Sequence, residues 1–301
     1  MKYGVLVFSY SGSVVLDEQL KNNGHISINL GDYMQTLAVR NFYKKAGIAD
    51  EDVVTVDRDT LSSYAGEPLV LIMNGCFFRR CFPLPDNITP VFIGFQAKEP
   101  IIVEFLDFFK RHEPIGCRDT TVEALFHKYG VKAYTTGCLT MTFDPRPSPP
   151  EREKIMLVYG SGVGDIPLEA LQSMRPSMKR KVELVFQRKI IHSFPVSAQD
   201  MHDAENYASY LLNYYRDNAS MVITPLHHAA TPCMASGIPV SILRRKDDNR
   251  FSYLRSLLPV LTAPDFSAAN WSPEAVDMTA IRRTLLERTE TALDAALRQP
   301  R

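Results

Sequence analysis

The chain has no excess of charge of either sign: 34 Lys and Arg stand against 34 Asp and Glu in 301 residues. The bulk field that gathers nucleic acid or an anionic membrane is therefore missing, and only local basic clusters remain. No nucleic-acid partner is expected. Cysteine is sparse. Cys76, Cys81, Cys117, Cys138 and Cys233 are odd in number and show no C-x-x-C spacing. That excludes a disulfide framework and a zinc cluster, and leaves buried free thiols in a reducing compartment. No metal site and no cofactor are expected. No apolar run reaches the roughly 18 residues that a membrane-spanning helix needs. The apolar start of MKYGVLVFSYSG is short, and no small-residue cleavage site follows it. It reads as a first strand rather than as a signal peptide, and the expected location is cytoplasmic. Repeats and low-complexity tracts are also absent.

What is present is alternation. Apolar strands at 3–9, 53–56, 69–73 and 91–95 are separated by helical patterns at 32–46, 101–111 and 120–129. A long polar loop is expected from residue 10 to Asn29, and short strands at 131–134 and 139–143. The proline-rich stretch from Asp144 to Glu153 forbids helix and central strand alike and reads as a linker. Alternation then restarts: strand 155–159, a loop and helices, strand 189–193, helix 204–216, strand 221–224, a small-residue helix stopped by Gly237, and a strand from Ile238. Ser272, Pro273 and Glu274 give a helix start signal, and Met278, Ile281, Leu285 and Leu293 an apolar stripe. A terminal amphipathic helix over 273–298 is expected. The fold class is α/β, with two Rossmann-like domains, 1–146 and 147–301, facing a cleft.

In such sheets ligands bind beyond the carboxyl ends of strands, so those loops hold the candidates. Asn29-Leu30-Gly31-Asp32, with Gln35 beyond, opens the first long helix; Gly31 lets backbone approach a ligand closely, and Asp32 can cap. Asn74-Gly75 ends a buried strand with a turn dipeptide. Arg118 offers a fork of donors suited to carboxylate or phosphate, or else forms an ion pair with Asp119. Gly160, Gly162 and Gly164 follow the first strand of the second half and can cradle a phosphate, although neither the dinucleotide nor the P-loop spacing is met. His227 and His228 follow the strand at 221–224. Being adjacent, they cannot both face one side, which argues against a shared metal. Arg244 and Arg245 begin where the next strand ends, with Arg250 just beyond.

Taken together, five segments resemble the polysaccharide pyruvyl transferase family in its order: NLGDYMQTLAVRNF at Asn29, LVLIMNGCF at Leu69, EPIGCRDTTVEALFHKYGVKAYTTGCLTMTF at Glu113, MVITPLHHAATPCMASGIPVSIL at Met221 and DNRFSYL at Asp248. The resemblance implies a GT-B-like pair of domains and transfer of the enolpyruvyl carbons of phosphoenolpyruvate onto a sugar hydroxyl pair as a ketal. Phosphoenolpyruvate and a saccharide would be the partners, and a lipid-linked acceptor would bring peripheral membrane contact. The family's Arg-Asp pair falls on Arg118 and Asp119. Its Arg-Leu-His motif falls on Leu226, His227 and His228, so the histidine is kept and the arginine is replaced by Leu226. Arg244, Arg245, His227 or the 160–164 loop would then hold the anion. His228 is the expected proton-transfer group, with Asp32 second, Arg118 the donor-binding residue, and Asn29, Gly31, Gln35, Asn74 and Gly75 the acceptor side. Two other readings stay open. One is a nucleotide-sugar glycosyltransferase on the same fold; the other is a binding paralogue that lost catalysis with its arginine.

Overall fold

The computed structural model describes residues 1–151, 153–160 and 168–298. The first half runs β1 (Lys2–Val7), α1 (Val14–Asn23), β2 (Ile26–Asn29), α2 (Leu30–Lys45), β3 (Val53–Asp57), β4 (Leu69–Ile72), β5 (Gly75–Cys76), β6 (Ile88–Val91), β7 (Phe95–Gln96), α3 (Glu99–Glu104), α4 (Leu106–Arg111), β8 (Ile115–Cys117), α5 (Thr120–Lys128) and β9 (Ala133–Thr135). The second runs β10 (Lys154–Tyr159), α6 (Leu168–Gln172), α7 (Pro176–Lys179), β11 (Val182–Phe186), β12 (Arg188–Ile191), α8 (Ala198–Asn218), β13 (Ala219–Thr224), α9 (His227–Ala235), β14 (Val240–Arg244), β15 (Val260–Thr262) and α10 (Thr279–Leu297).

Runs without polar alternation pair in parallel, as strands covered on both faces do. One sheet has the order β3-β1-β4-β6 and another β11-β10-β13-β14-β15. A small parallel sheet, β5-β7-β8-β9, extends the first half. Phe77, Phe82, Phe92, Phe95 and Phe109 pack ring to ring around it, supplying the apolar area that such short strands lack. The protein is thus α/β with parallel, Rossmann-like sheets.

Several elements depart from the sequence expectation. The stretch read as a polar loop contains α1 and β2. β2 pairs antiparallel with β12, Ile26 opposite Ile191 and Asn29 opposite Arg188, and so joins the two halves. Within 139–143, read as a strand, Leu139–Thr142 form a 3-10 turn instead. Asn74 Oδ1 takes the Leu139 N–H, Thr142 Oγ1 donates to the Leu139 carbonyl, and Thr140 pairs with Thr231 at 2.7 Å. Side-chain bonds there replace a ladder. The run at 91–95 divides into β6 and β7 because Gly94 turns the chain at φ +66°. β11 lies where only loop and helices were expected. The terminal helix starts at Thr279 rather than 273: Asp277, not Ser272, supplies a carboxylate to the Thr279 N–H. The residues before it run out of helix to bring Met278 into the core. α10 then bridges the halves through Arg282, which donates to the Phe143 and Ala235 carbonyls.

Candidate active site

Both large sheets reverse their direction of growth beside their first strand, between β1 and β4 and between β10 and β13. Open α/β sheets bind ligands beyond the strand ends at such reversals. A cavity of about 110 Å³ lies there. Asn29 and Asp32 at the start of α2, Cys76 after β5, Arg118 after β8, and Gln187 form part of its wall. The remainder is Pro225 to His228 at the β13–α9 turn, with Arg244, Arg250 and Phe251.

Arg118 is buried and cationic. Its expected alternative partner, Asp119, instead caps α5. Arg118 donates to Gln35 Oε1 at 2.5 Å and to Cys76 Sγ at 3.0 Å, and its Nε has no partner. Among the described residues its side-chain partners are these two neutral groups, and no carboxylate pairs with it. A buried guanidinium without a counter-charge is costly, and an anion in the cavity removes that cost.

Asn29, not Asp32, caps α2: its Oδ1 accepts the Gly31 N–H at 3.0 Å. Asp32 is spoken for otherwise. Its Oδ1 accepts from Asn29 Nδ2 and Gln35 Nε2, each at 3.2 Å, and its Oδ2 from the Tyr10 hydroxyl at 2.9 Å. A relay Tyr10–Asp32–Gln35–Arg118 therefore fixes the guanidinium. Tyr10 sits at φ +57°, a conformation that costs a bulky residue and marks functional sites.

His228 is buried with Nε2 at 3.6 Å from Cys138 Sγ and its carbonyl bonded by Gln187 Nε2. Its Nδ1 lies on the side of Gly31, where a Cβ would fall 2.8 Å from His228 Cβ and 3.2 Å from Nδ1. Glycine at 31 is thus what lets α2 begin against the imidazole. His227 packs at right angles to His228 and against Phe251, and its Nδ1 is buried without a partner. Burial above all holds both imidazoles well below the usual histidine range; Arg118, Arg250 and Arg244 add to it at His227, and His227, then Arg118 and Arg250, at His228. Both are neutral at pH 7.

Arg244 lies over Phe251 at 4.3 Å and donates to the Pro225 carbonyl and to Asp248. Arg245 is not brought to the cavity; it points to solvent and pairs with Glu169. The cation that completes the mouth is Arg250, held by Asp248 at 2.6 Å. The motif was visible, but only the 3-10 turn at Asn249–Phe251 decides which arginine turns inward. Gly160 faces Leu226, whose Cδ1 would be 3.1 Å from a Cβ there. Gly162 and Gly164 lie outside the described residues. Asn74 is buried; its Oδ1 takes the Leu139 N–H and the Cys138 thiol, and its Nδ2 has no partner. Gly75 begins β5 with Gln35 Oε1 nearby. Neither Asn74 nor Gly75 lines the cavity. Sequence reasoning missed Gln187, which lines the cavity, donates to the His228 carbonyl and is itself held by the Tyr215 hydroxyl at 3.0 Å. No motif advertises it.

The fold and the cation-lined cleft define an α/β protein with a small cavity at the strand ends of its parallel sheets. Residues 29–247 match the family described as Polysaccharide pyruvyl transferase, and the chain belongs to that family. No curated protein matches the chain. A similar solved structure is that of a functionally uncharacterised protein from Klebsiella pneumoniae subsp. pneumoniae NTUH-K2044, 11% identical, with a TM-score of 0.45 over 85% of this chain and 88% of that one. No helix among the described residues is long and apolar enough to cross a membrane. Family membership makes the chain a transferase with a part in pyruvyl transfer for polysaccharide synthesis.

Proposed function

We propose that the protein transfers the enolpyruvyl group of phosphoenolpyruvate to a pair of sugar hydroxyls, forming a ketal, and that residues 1–146 and 147–301 act as two GT-B-like domains around the cleft. The carrying observation is the buried Arg118 guanidinium, lacking a carboxylate partner and facing a cavity that also holds His227, His228, Arg244 and Arg250. In this reading the donor's carboxylate and phosphate satisfy Arg118, Arg250 and the His227 Nδ1. Leu226 supplies an apolar wall against Gly160 where the family motif has a cation, and Arg250 covers that charge.

The neutral imidazole of His228 gains a proton when the donor's negative charges arrive, because the cations that depress it are then neutralised. Protonated His228 gives its proton to carbon 3 of the donor. A sugar oxygen bonds to carbon 2 as a carboxylate takes its proton. The carbon–oxygen bond to phosphate breaks with its electron pair, the second hydroxyl closes the ketal, and its proton leaves with phosphate. Asp32, with both oxygens engaged, orients Gln35 and through it Arg118. Calorimetric titration with phosphoenolpyruvate, together with phosphate release, tests the reading. Arg118→Ala and His228→Ala should each abolish transfer in a folded protein; full activity in either sinks the assignment.

A further inference from the structure

Beyond Cys76 and Arg250 the cavity meets a second hollow of about 620 Å³. It runs between the start of α5, the β7–α3 turn and the 247–250 turn. Four of its residues are acidic, Glu99, Asp119, Asp247 and Asp248, against two basic ones, Lys98 and Arg250. Three of the acids are already paired: Glu99 with Lys128, Asp247 with Arg255, Asp248 with Arg244 and Arg250. Asp119 is not. Its Oδ1 accepts the Thr121 and Val122 N–H groups at 3.1 and 3.0 Å, but Oδ2 is buried with no partner. Asp119 is 1% exposed. Among the described residues it is the one carboxylate with a buried oxygen left unsatisfied. A lone buried acceptor of this kind calls for a donor.

A second anion is excluded by the acidic lining. A neutral polyol fits: its hydroxyls donate to carboxylate and amide oxygens, and the volume is some six times that of the cation-lined cavity, taking about 620 against 110 Å³. We infer that this groove holds the saccharide acceptor, and that Asp119 Oδ2 accepts the hydrogen bond, and then the proton, of the attacking hydroxyl. The inference rests on the pyruvyl-transfer reading and moves the acceptor away from Asn74 and Gly75. Burial also pushes the Asp119 carboxyl up, which makes it a better proton acceptor. Its neighbour in the chain is Arg118, so one short turn after β8 presents the donor-binding cation to one hollow and the acceptor-binding carboxylate to the other.

Asp119→Asn isolates the role, because asparagine keeps the capping oxygen while replacing Oδ2 by a donor. Lys98→Trp, at an exposed rim position away from the donor cavity, blocks the groove instead. The probes are methyl glucopyranoside, mannopyranoside and galactopyranoside, read by saturation-transfer NMR, with phosphoenolpyruvate titrated calorimetrically in parallel. At least one pyranoside should bind the native protein and lose at least tenfold of its signal in both variants. The phosphoenolpyruvate affinity should stay within twofold. If phosphoenolpyruvate binds but no pyranoside does, or if pyranoside binding survives both substitutions, the inference is overturned. If pyranosides behave as expected and phosphoenolpyruvate does not bind, the donor reading fails while the groove stands.

Discussion

The two hollows that meet at Cys76 and Arg250 differ in size and in sign. The smaller gathers Arg118, Arg244, Arg250 and two neutral histidines around Asp32; the larger gathers carboxylates around a free oxygen of Asp119. The contrast teaches how one strand end serves two ligands of unlike charge. Arg118 and Asp119 are adjacent, yet they do not pair. Asp119 is tied to the α5 backbone and Arg118 to Gln35 and Cys76, so each keeps an unsatisfied atom for its own side. Had they formed the ion pair that their adjacency suggests, neither hollow would retain its functional group.

The sharpest way to break the comparison is to discharge one side only. Arg118→Ala removes a buried charge-assisted contact and should cost phosphoenolpyruvate at least 100-fold in affinity, about 2.7 kcal/mol or more. Asp119→Asn should leave that affinity nearly intact. Equal losses in the two variants, by calorimetry, would mean that the hollows are a single site.

Acid should act on the smaller hollow next. Both histidines have folded values held below the unfolded one, so the unfolded chain binds more protons as pH falls. Their neutral, buried state contributes full stability above about pH 6.5, the unfolded value. That stability is lost as pH falls from there through the folded values, at up to about 1.4 kcal/mol per pH unit for each group. Asp119 has the opposite sign, since its folded value is raised and protonation relieves its burial. His228→Gln should therefore flatten the acid limb of urea-midpoint stability between pH 6.5 and 5, and saturating phosphoenolpyruvate should do the same in the native protein. An unchanged limb in both cases would contradict a neutral His228.

A smaller effect concerns how closely α2 approaches the imidazole. Gly31→Ala puts a methyl group 2.8 Å from His228 Cβ. Overpacking of this kind costs about 1–3 kcal/mol. We expect a lowered Tm and a fall in turnover with phosphoenolpyruvate affinity largely kept, because Arg118 is held by Gln35 one turn further on. A variant as active and stable as the native protein would show that His228 has room to move away.

How much of this was legible in the sequence follows from where each signal is stored. The buried strands announced themselves, since continuous runs such as Leu69–Ile72 have few other uses. The loops after them bring Arg118 and His228 to one cavity. β2 was overlooked because four residues, Ile26–Asn29, carry only two apolar positions; its pairing with β12, 160 residues away, is what makes it a strand. The terminal helix was started too early because Ser272-Pro273 imitates a cap, whereas Asp277 provides the acceptor. Gln187 and the unpaired oxygen of Asp119 carry no local pattern at all. Their meaning lies in what surrounds them, and only the assembled structure supplies that.

The smallest expected effect separates two arginines that look alike in the sequence. Arg245 and Arg250 both follow β14, but the chain turns Arg245 toward Glu169 in solvent while Asp248 holds Arg250 at the shared mouth of the hollows. Exposed ion pairs of the first kind contribute little and are screened by salt. Arg245→Ala should leave phosphoenolpyruvate binding and transfer within assay error. Arg250→Ala should weaken phosphoenolpyruvate about tenfold, the loss of one partly exposed charge-assisted contact. It should also weaken the acceptor, since Asp248 keeps only Arg244 as a partner and the mouth of the groove becomes more negative. If Arg245→Ala proves the more damaging of the two, the anion is gripped from outside the cavity, and the division of the cleft into a cationic and an acidic hollow does not describe how its ligands bind.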